Sequence, residues 1–140
     1  MISGGLRRFL YLTAALNGAA ILVIEILGAK MLAPYIGTSH FVWTAQISVT
    51  LLSLAVGYYI GGRWADRTQG LDRLYVCMVA AAVYLCLSLW IAEPVSYGCL
   101  DLGIKLGSIL ASLFLFFIPL TLLAMTGPAV RSLERTAAVR

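Results

Sequence analysis

Charged residues are scarce in this sequence. Asp, Glu, Lys and Arg make up 11% of its 140 residues, whereas 61% are hydrophobic and the mean hydropathy is +0.95. In a soluble domain about a quarter of the residues are charged. One small water-soluble core cannot cover so many apolar side chains, which excludes an ordinary soluble domain. The length allows one domain, and we predict a single membrane domain over residues 1–140.

The residue types that most often carry chemistry are also few. The only histidine is His40, and the cysteines Cys77, Cys86 and Cys99 follow no zinc or redox spacing. We therefore predict no metal and no cofactor, and interpret the cysteines as packing residues. No nucleophile–base pair, P-loop or dinucleotide fingerprint is present, so we predict that the chain is not an enzyme. The mixture of basic and aromatic residues typical of nucleic-acid binding is missing as well.

Long apolar runs are what the sequence has in abundance. A membrane-spanning helix needs about 20 mostly apolar residues, and four runs qualify. They cover about residues 9–27, 41–62, 74–92 and 106–125. Turn residues at 33–39 and charged residues at 66–73 separate them, and we expect Glu93–Pro94 to end the third span because proline disfavours helix at the preceding residue. The predicted fold is all-α, a four-helix transmembrane bundle, in which Pro119 should kink the fourth helix.

The basic residues predict the orientation of the spans. Eight of the ten cations flank the same ends of the spans, and only Lys30 and Lys105 lie in the segments 28–40 and 93–105. The positive-inside rule then puts both termini in the cytoplasm, those two segments outside, and the chain in the cell (inner) membrane. A cleaved signal peptide is a weaker reading of the first run, which extends over about 19 residues without a small-residue cleavage site.

The second span carries small and polar residues on one helical face. Ser53, Gly57 and Gly61 form a doubled small-xxx-small motif, preceded on the same face by Gln46 and Thr50. Small residues let membrane helices approach closely, so we expect this face to pack on another helix, with a ligand-lined face as the alternative. Milder stripes on the third and fourth spans are formed by Cys77, Ala81, Tyr84 and Ser88, and by Ser108, Ser112, Leu115 and Pro119.

Glu25 is the carboxylate that lies inside an apolar run. Burying it at membrane depth costs about 2.5–3.5 kcal/mol, so it should face the bundle and have a partner. One helical face of the first span holds Asn17, Gly18, Ile21, Glu25 and Gly28. Glu25, Asn17 and Gln46 are therefore the candidate substrate-binding or structural polar residues. Two readings stay open: a cation-binding or proton-coupled site, or a structural contact of Glu25 with Lys30, with His40 at the start of the second helix, or with the polar face of the second span.

Two segments resemble a known family. Residues 25–39, EILGAKMLAPYIGTS, and 57–67, GYYIGGRWADR, are similar to the membrane region of fused spermidine-synthase-like proteins, a region related to the major facilitator superfamily. Gly62, Asp66 and Arg67 match that superfamily's Gly-x-x-x-Asp-Arg loop between its second and third helices, although the next glycine, Gly70, comes one residue late. In those transporters the loop helps to hold a cytoplasmic gate. The resemblance implies a conformational role for these three residues.

The same resemblance suggests what the protein does. Fused relatives continue into further membrane helices and a soluble aminopropyltransferase-like domain, so we expect these 140 residues not to carry that chemistry alone. The predicted function is a non-catalytic integral membrane subunit that packs with or docks a partner in the lipid bilayer, for example a separately encoded spermidine-synthase-like protein. A homo- or hetero-oligomer is expected. The alternatives are an oligomeric transporter of a cationic, polyamine-like solute, with Glu25 as counter-charge, and an accessory subunit of a larger energy-transducing membrane complex.

Overall fold

Four long helices account for the part of the chain that the structure describes. The structure is a computed structural model covering residues 4–67, 71–101 and 103–139, without side-chain environments at 4, 6–7, 65–67, 71–74, 100 and 132–139. The helices are α1 (Gly4–Ile36), α2 (His40–Arg67), α3 (Leu71–Leu100) and α4 (Ile104–Val139). The stretches long and apolar enough to cross a membrane are Arg8–Ile36, His40–Trp64, Tyr75–Cys99 and Ile104–Arg131. The predicted four-helix, all-α fold is confirmed, and the side on which the termini lie stays a prediction.

The helices extend beyond the spans that the sequence predicts. Helix α1 continues through Pro34 to Ile36, and α3 continues through Pro94 to Leu100, so the expectation that Glu93–Pro94 ends the third span is wrong. Of the predicted segments 28–40 and 93–105, only residues 37–39, 101 and 103 lie outside a helix among those that the structure describes. In an apolar environment the helix is the conformation that satisfies most backbone groups, and it tolerates a proline near its end.

Glycine at positive φ allows the first of these turns. Gly37 has φ of 91° and its backbone N–H donates to the carbonyl of Ala33 over 2.9 Å. This left-handed residue directly after a helix is a common way of ending it. His40 is the first residue of α2, as expected for a helix-start position.

The opposite end of the bundle also differs from the prediction. Asp66 and Arg67 belong to the last turn of α2, and α3 begins at Leu71, so the described residues of the predicted charged segment 66–73 are helical. Gly62 lies inside α2 with no atom within 4 Å of a Cβ placed on it. The side chains of Asp66 and Arg67 fall outside the described residues, and their conformational role stays a prediction. Helix α4 runs past the predicted end at 125 and through Pro128.

Helix α4 is the centre of the bundle. Its most apolar stretch is 61% buried, compared with 17% for the corresponding stretches of α1 and α3. It packs against each of the other three helices, whereas α2 and α3 do not touch one another in the part of the chain that is described. The arrangement is a row of α2, α4 and α3, with α1 lying across α4 and reaching both neighbours. Leu115 and Leu120 of α4 and Leu32 of α1 are completely buried in its core.

Glycines on α2 set the closest approach between helices. A Cβ on Gly57 would lie 2.6 Å from the carbonyl oxygen of Thr121, and one on Gly61 would lie 2.8 Å from Cα and O of Met125. The contacts advance in the same direction along both chains, so α2 and α4 run parallel. Their backbones touch because these two side chains are absent, as small-residue motifs in membranes allow.

The surfaces of α1 and α3 are mostly apolar and exposed. Trp90 is 88% exposed and Leu16 is 70% exposed, as expected for side chains that contact lipid. Two predictions need correction here. Cys86 is exposed, unlike the buried Cys99, and therefore does not pack inside the bundle. Gly18 is also exposed, because it lies to one side of the face on which Asn17 and Gly28 meet the other helices.

Candidate functional site

The three polar residues singled out from the sequence are Asn17 and Glu25 of α1 and Gln46 of α2. Asn17 lies where α1 meets α4, and Gln46 lies where α2 meets α1. Asn17 contacts the C-terminal half of α4 at Thr126. Gly28, eleven residues later on α1, contacts Phe116 and Gln46. Because the order of contacts on α4 is reversed, α1 runs antiparallel to α4. The polar groups between residues 17 and 28 are thereby stacked along one helix interface over about 16 Å.

Asn17 links α1 to α4 through its amide group. Its Nδ2 donates to the carbonyl of Leu123 over 2.8 Å and to the hydroxyl of Thr126 over 2.5 Å. The Thr126 hydroxyl in turn donates to the Leu123 carbonyl over 2.7 Å. Both amide hydrogens are then used, which fixes the orientation of the group. The Oδ1 atom is buried and finds no donor among the described residues.

A proline follows closely after the acceptor carbonyl. Leu123 lies five residues before Pro128, next to the carbonyl that the proline leaves without a backbone donor. The same spacing occurs nearer the start of α4. There the hydroxyl of Tyr84 donates over 2.7 Å to the carbonyl of Phe114, which lies five residues before Pro119. Side chains from neighbouring helices commonly satisfy backbone groups near prolines in membrane helices. The sequence analysis missed both pairings, although the position of each proline is the signal that points to them.

The side chain of Gln46 is completely buried and forms no hydrogen bond with the described residues. Its exposed fraction is 0%, and neither Nε2 nor Oε1 has a partner within the described ranges. The amide presses against α1 at Gly28, where a Cβ would lie 2.7 Å from Nε2. By contrast, Thr50 and Ser53 on the same face donate to backbone carbonyls one turn earlier in α2, over 2.9 and 2.7 Å. The polar face of α2 is therefore satisfied except at Gln46.

A second unpaired group lies at the same height on α4. Ser112 is completely buried, and its hydroxyl has no partner in the described part of the chain. Gly57 of α2 contacts Thr121 and Ala124 of α4, and these two helices run parallel. Gln46 lies eleven residues before Gly57, so it is level with the residues of α4 that lie eleven before this contact, 110–113. The unpaired groups of Gln46 and Ser112 thus lie at a similar height in the bundle, and Gln46 is the one beside Gly28.

Glu25 lies one helical turn from the contact of Gln46 with Gly28. It is half-buried, three residues before Gly28 on the same face of α1. Neither Lys30 nor His40 neutralises it, since both are exposed and no ion pair involves Glu25 within the residues described. The expectation of a local partner at either residue is not met. A carboxylate at this depth remains without a matching charge, next to a buried amide without hydrogen bonds.

The basic groups at the two ends of the bundle pair with aromatic rings instead. The Lys105 ammonium lies 5.0 Å from the ring centroid of Phe41, which joins the first turns of α4 and α2. The Arg63 guanidinium donates to the Tyr59 hydroxyl over 2.8 Å and lies 5.6 Å from its ring centroid. These contacts hold the two cationic side chains near the helix ends, where the charged groups can reach water.

Comparison with known proteins adds no assignment. No family model, curated protein or solved structure matches the chain. Among the described residues, no group of three or more His, Cys, Asp and Glu side chains is placed to hold a metal ion. Glu25, Gln46 and Ser112 are the polar groups of the described bundle that are best suited to bind a ligand, because their side chains are at least partly buried and have no hydrogen-bonding or ionic partner among the described residues.

Proposed function

We propose that this chain is a non-catalytic integral membrane subunit that packs with a partner protein through the outer face of α1. The observation that carries the proposal is the exposed glycine in the middle of that helix. Glycine in a helix interior is less favourable than alanine by about 0.8–1.0 kcal/mol. Gly28, Gly57 and Gly61 each have a close packing contact that requires the missing side chain, whereas Gly18, like Gly62 and Gly98 nearer the ends of their helices, has no atom within 4 Å.

The surroundings of Gly18 suit a transmembrane helix of the partner. Ala15 and Ala19 are exposed beside it, and the bulky Leu22 follows one turn later. Small side chains of this kind favour close helix–helix approach in lipid, where apolar area alone does not drive association. The resemblance of residues 25–39 and 57–67 to fused spermidine-synthase-like proteins is the reason for proposing a synthase-like partner, encoded separately.

Site-specific photo-crosslinking in membranes tests this interface. A crosslinker introduced at residue 18 should give one product of defined mass, and twice the mass of the chain would identify a second copy as the partner. Leu52 is the control, since it is 51% exposed on a different helix, α2, and is itself a bulky side chain. The proposal is contradicted if residue 18 gives no product and purification in mild detergent recovers the chain alone.

The location and orientation are part of the same proposal. Four spanning helices put both termini on one side, and eight of ten cations flank that side, which favours cytoplasmic termini in the inner membrane. Reporter fusions after residue 140 should be active in the cytoplasm, whereas insertions at Gly37 should be active outside. The opposite pattern would require an inverted bundle.

An oligomeric transporter of a cationic solute is the second candidate. The half-buried carboxylate of Glu25 favours it, because a charge inside a candidate span without an ion pair in the described part commonly marks a substrate or ion pathway. Replacing Glu25 by Gln should abolish uptake or export of a labelled polyamine while membrane insertion persists. Unchanged transport in that variant would remove this candidate.

A further inference from the structure

We propose that Glu25 and Gln46 form a binding site for a small monovalent metal cation such as Na⁺ between α1, α2 and α4. Two observations meet at this point: a half-buried carboxylate without an ion pair in the described residues, and a completely buried amide whose two polar atoms are unpaired. An unpaired hydroxyl on Ser112 lies at a similar height along α4. The site does not depend on the partner proposed above, because all three residues belong to this chain.

Helix geometry brings the first two groups within reach of one ion. Cβ atoms three residues apart on a helix are about 5–6 Å apart, so the Cβ of Glu25 lies at most about 9 Å from the amide that presses on Gly28. The glutamate side chain extends roughly 3.5 Å beyond its Cβ over three bonds of ordinary length. A Glu25 side chain directed at the amide would leave a gap of about 5 Å, which matches the distance between two oxygens on opposite sides of one cation, at about 2.4 Å each.

The amide can present the oxygen that a cation needs. Nε2 is the atom that faces Gly28, but it has no hydrogen bond to lose among the described groups. Turning the amide by half a rotation therefore exchanges Nε2 and Oε1 without breaking a contact between polar atoms. The same unpaired oxygen would then point towards α1, on the side of the Glu25 carboxylate. Asn17 cannot do this, because both of its amide hydrogens are held by α4.

Charge favours a monovalent over a divalent ion. Glu25 is the acidic residue within the candidate span Arg8–Ile36, and the described residues contain no cluster of three acidic or other metal-binding side chains. One carboxylate and one monovalent cation give a neutral site, whereas a divalent ion would leave an uncompensated positive charge at membrane depth. The donors are all oxygens, which suit hard cations and not zinc or copper.

Binding of ²²Na⁺ to the purified full-length chain in lipid nanodiscs tests the site. The total salt concentration is held constant with choline chloride. Wild-type protein should bind Na⁺ saturably, and Glu25→Gln should abolish binding. Gln46→Met, which keeps the size of the side chain and removes its oxygen, should weaken binding at least about tenfold, as loss of even outer-shell metal contacts does. Glu93→Gln is the matched control, because this carboxylate on α3 is exposed and should not affect binding.

Gel filtration and circular dichroism establish that each variant is folded. If Glu25→Gln does not fold, the comparison of Gln46→Met with Glu93→Gln decides on its own. Absence of saturable binding to the wild-type chain overturns the proposal, and so does equal binding by wild type and Gln46→Met. Because no partner is present in this assay, its outcome is independent of the crosslinking at residue 18.

Discussion

Gly57 offers the sharpest test of how the bundle is held together. A methyl group there would lie 2.6 Å from the carbonyl oxygen of Thr121 and would also collide with the Ala124 side chain. Ordinary contacts of a Cβ begin near 3.4 Å, so α2 and α4 would have to separate by about 0.8 Å. The neighbouring atoms are backbone and a short side chain, which cannot rotate away. Overpacking of this kind costs about 1–3 kcal/mol.

Gly62 provides the matched control for Gly57→Ala. It lies in the same helix, and a Cβ placed on it has no atom within 4 Å. Both substitutions gain about 0.5–1 kcal/mol from the lower backbone entropy of alanine. That gain cancels when the two variants are compared, so their difference isolates the steric cost. We expect Gly57→Ala to be less stable than Gly62→Ala by about 1–3 kcal/mol.

The measurement is reversible unfolding in mixed micelles, followed by circular dichroism as sodium dodecyl sulfate is added. Gly57→Ala should unfold at a lower detergent fraction than wild type, and Gly62→Ala at the same or a higher fraction. Equal stability of the two variants would mean that α2 and α4 do not approach as closely as the contacts of Gly57 and Gly61 require. The reasoning would also fail if Gly57→Ala were the more stable variant.

Three further substitutions probe contacts that differ in kind, each by the same unfolding assay. Asn17→Leu removes two hydrogen bonds to α4 and should destabilise the chain by about 0.6–1.7 kcal/mol, the range measured for such bonds in membranes; no change would mean that they add nothing. Tyr84→Phe leaves the Phe114 carbonyl without its hydroxyl donor and should cost a similar amount, about 0.6 kcal/mol or more. Gly37→Ala forces alanine to φ of 91° and should cost roughly 1–2 kcal/mol, whereas Gly98→Ala, with open space around it, should not destabilise.

Much of the helical architecture was predictable, because lipid dictates it locally. An apolar run of sufficient length has to form a helix, and four such runs gave the four helices. The ends were less predictable. The rule that proline ends a helix holds where water can take over the freed carbonyl, but α1 and α3 continue through Pro34 and Pro94. The turns are consequently shorter than the polar residues of the sequence suggested.

The identity of the polar residues was predictable, but their contacts were not. Asn17, Glu25 and Gln46 stand out in apolar runs because polar groups there need a reason. Which of them is satisfied depends on residues far away in sequence, such as Thr126, 109 positions from Asn17. The central position of α4 is likewise a property of three helix interfaces at once. Periodicity within one helix does not reveal which neighbour covers it, as the exposed Gly18 on the predicted inner face illustrates.

Gln46 is the residue whose presence packing does not explain. Burying an amide without a hydrogen bond costs about 1–3 kcal/mol, and methionine would fill the same volume at completely buried position 46 without that penalty. Gln46→Met should therefore stabilise the isolated chain in the unfolding assay while weakening Na⁺ binding. Such opposite effects of one substitution are the usual sign that a residue serves function at the expense of stability. A variant that loses stability together with binding would instead assign Gln46 to the framework of the bundle.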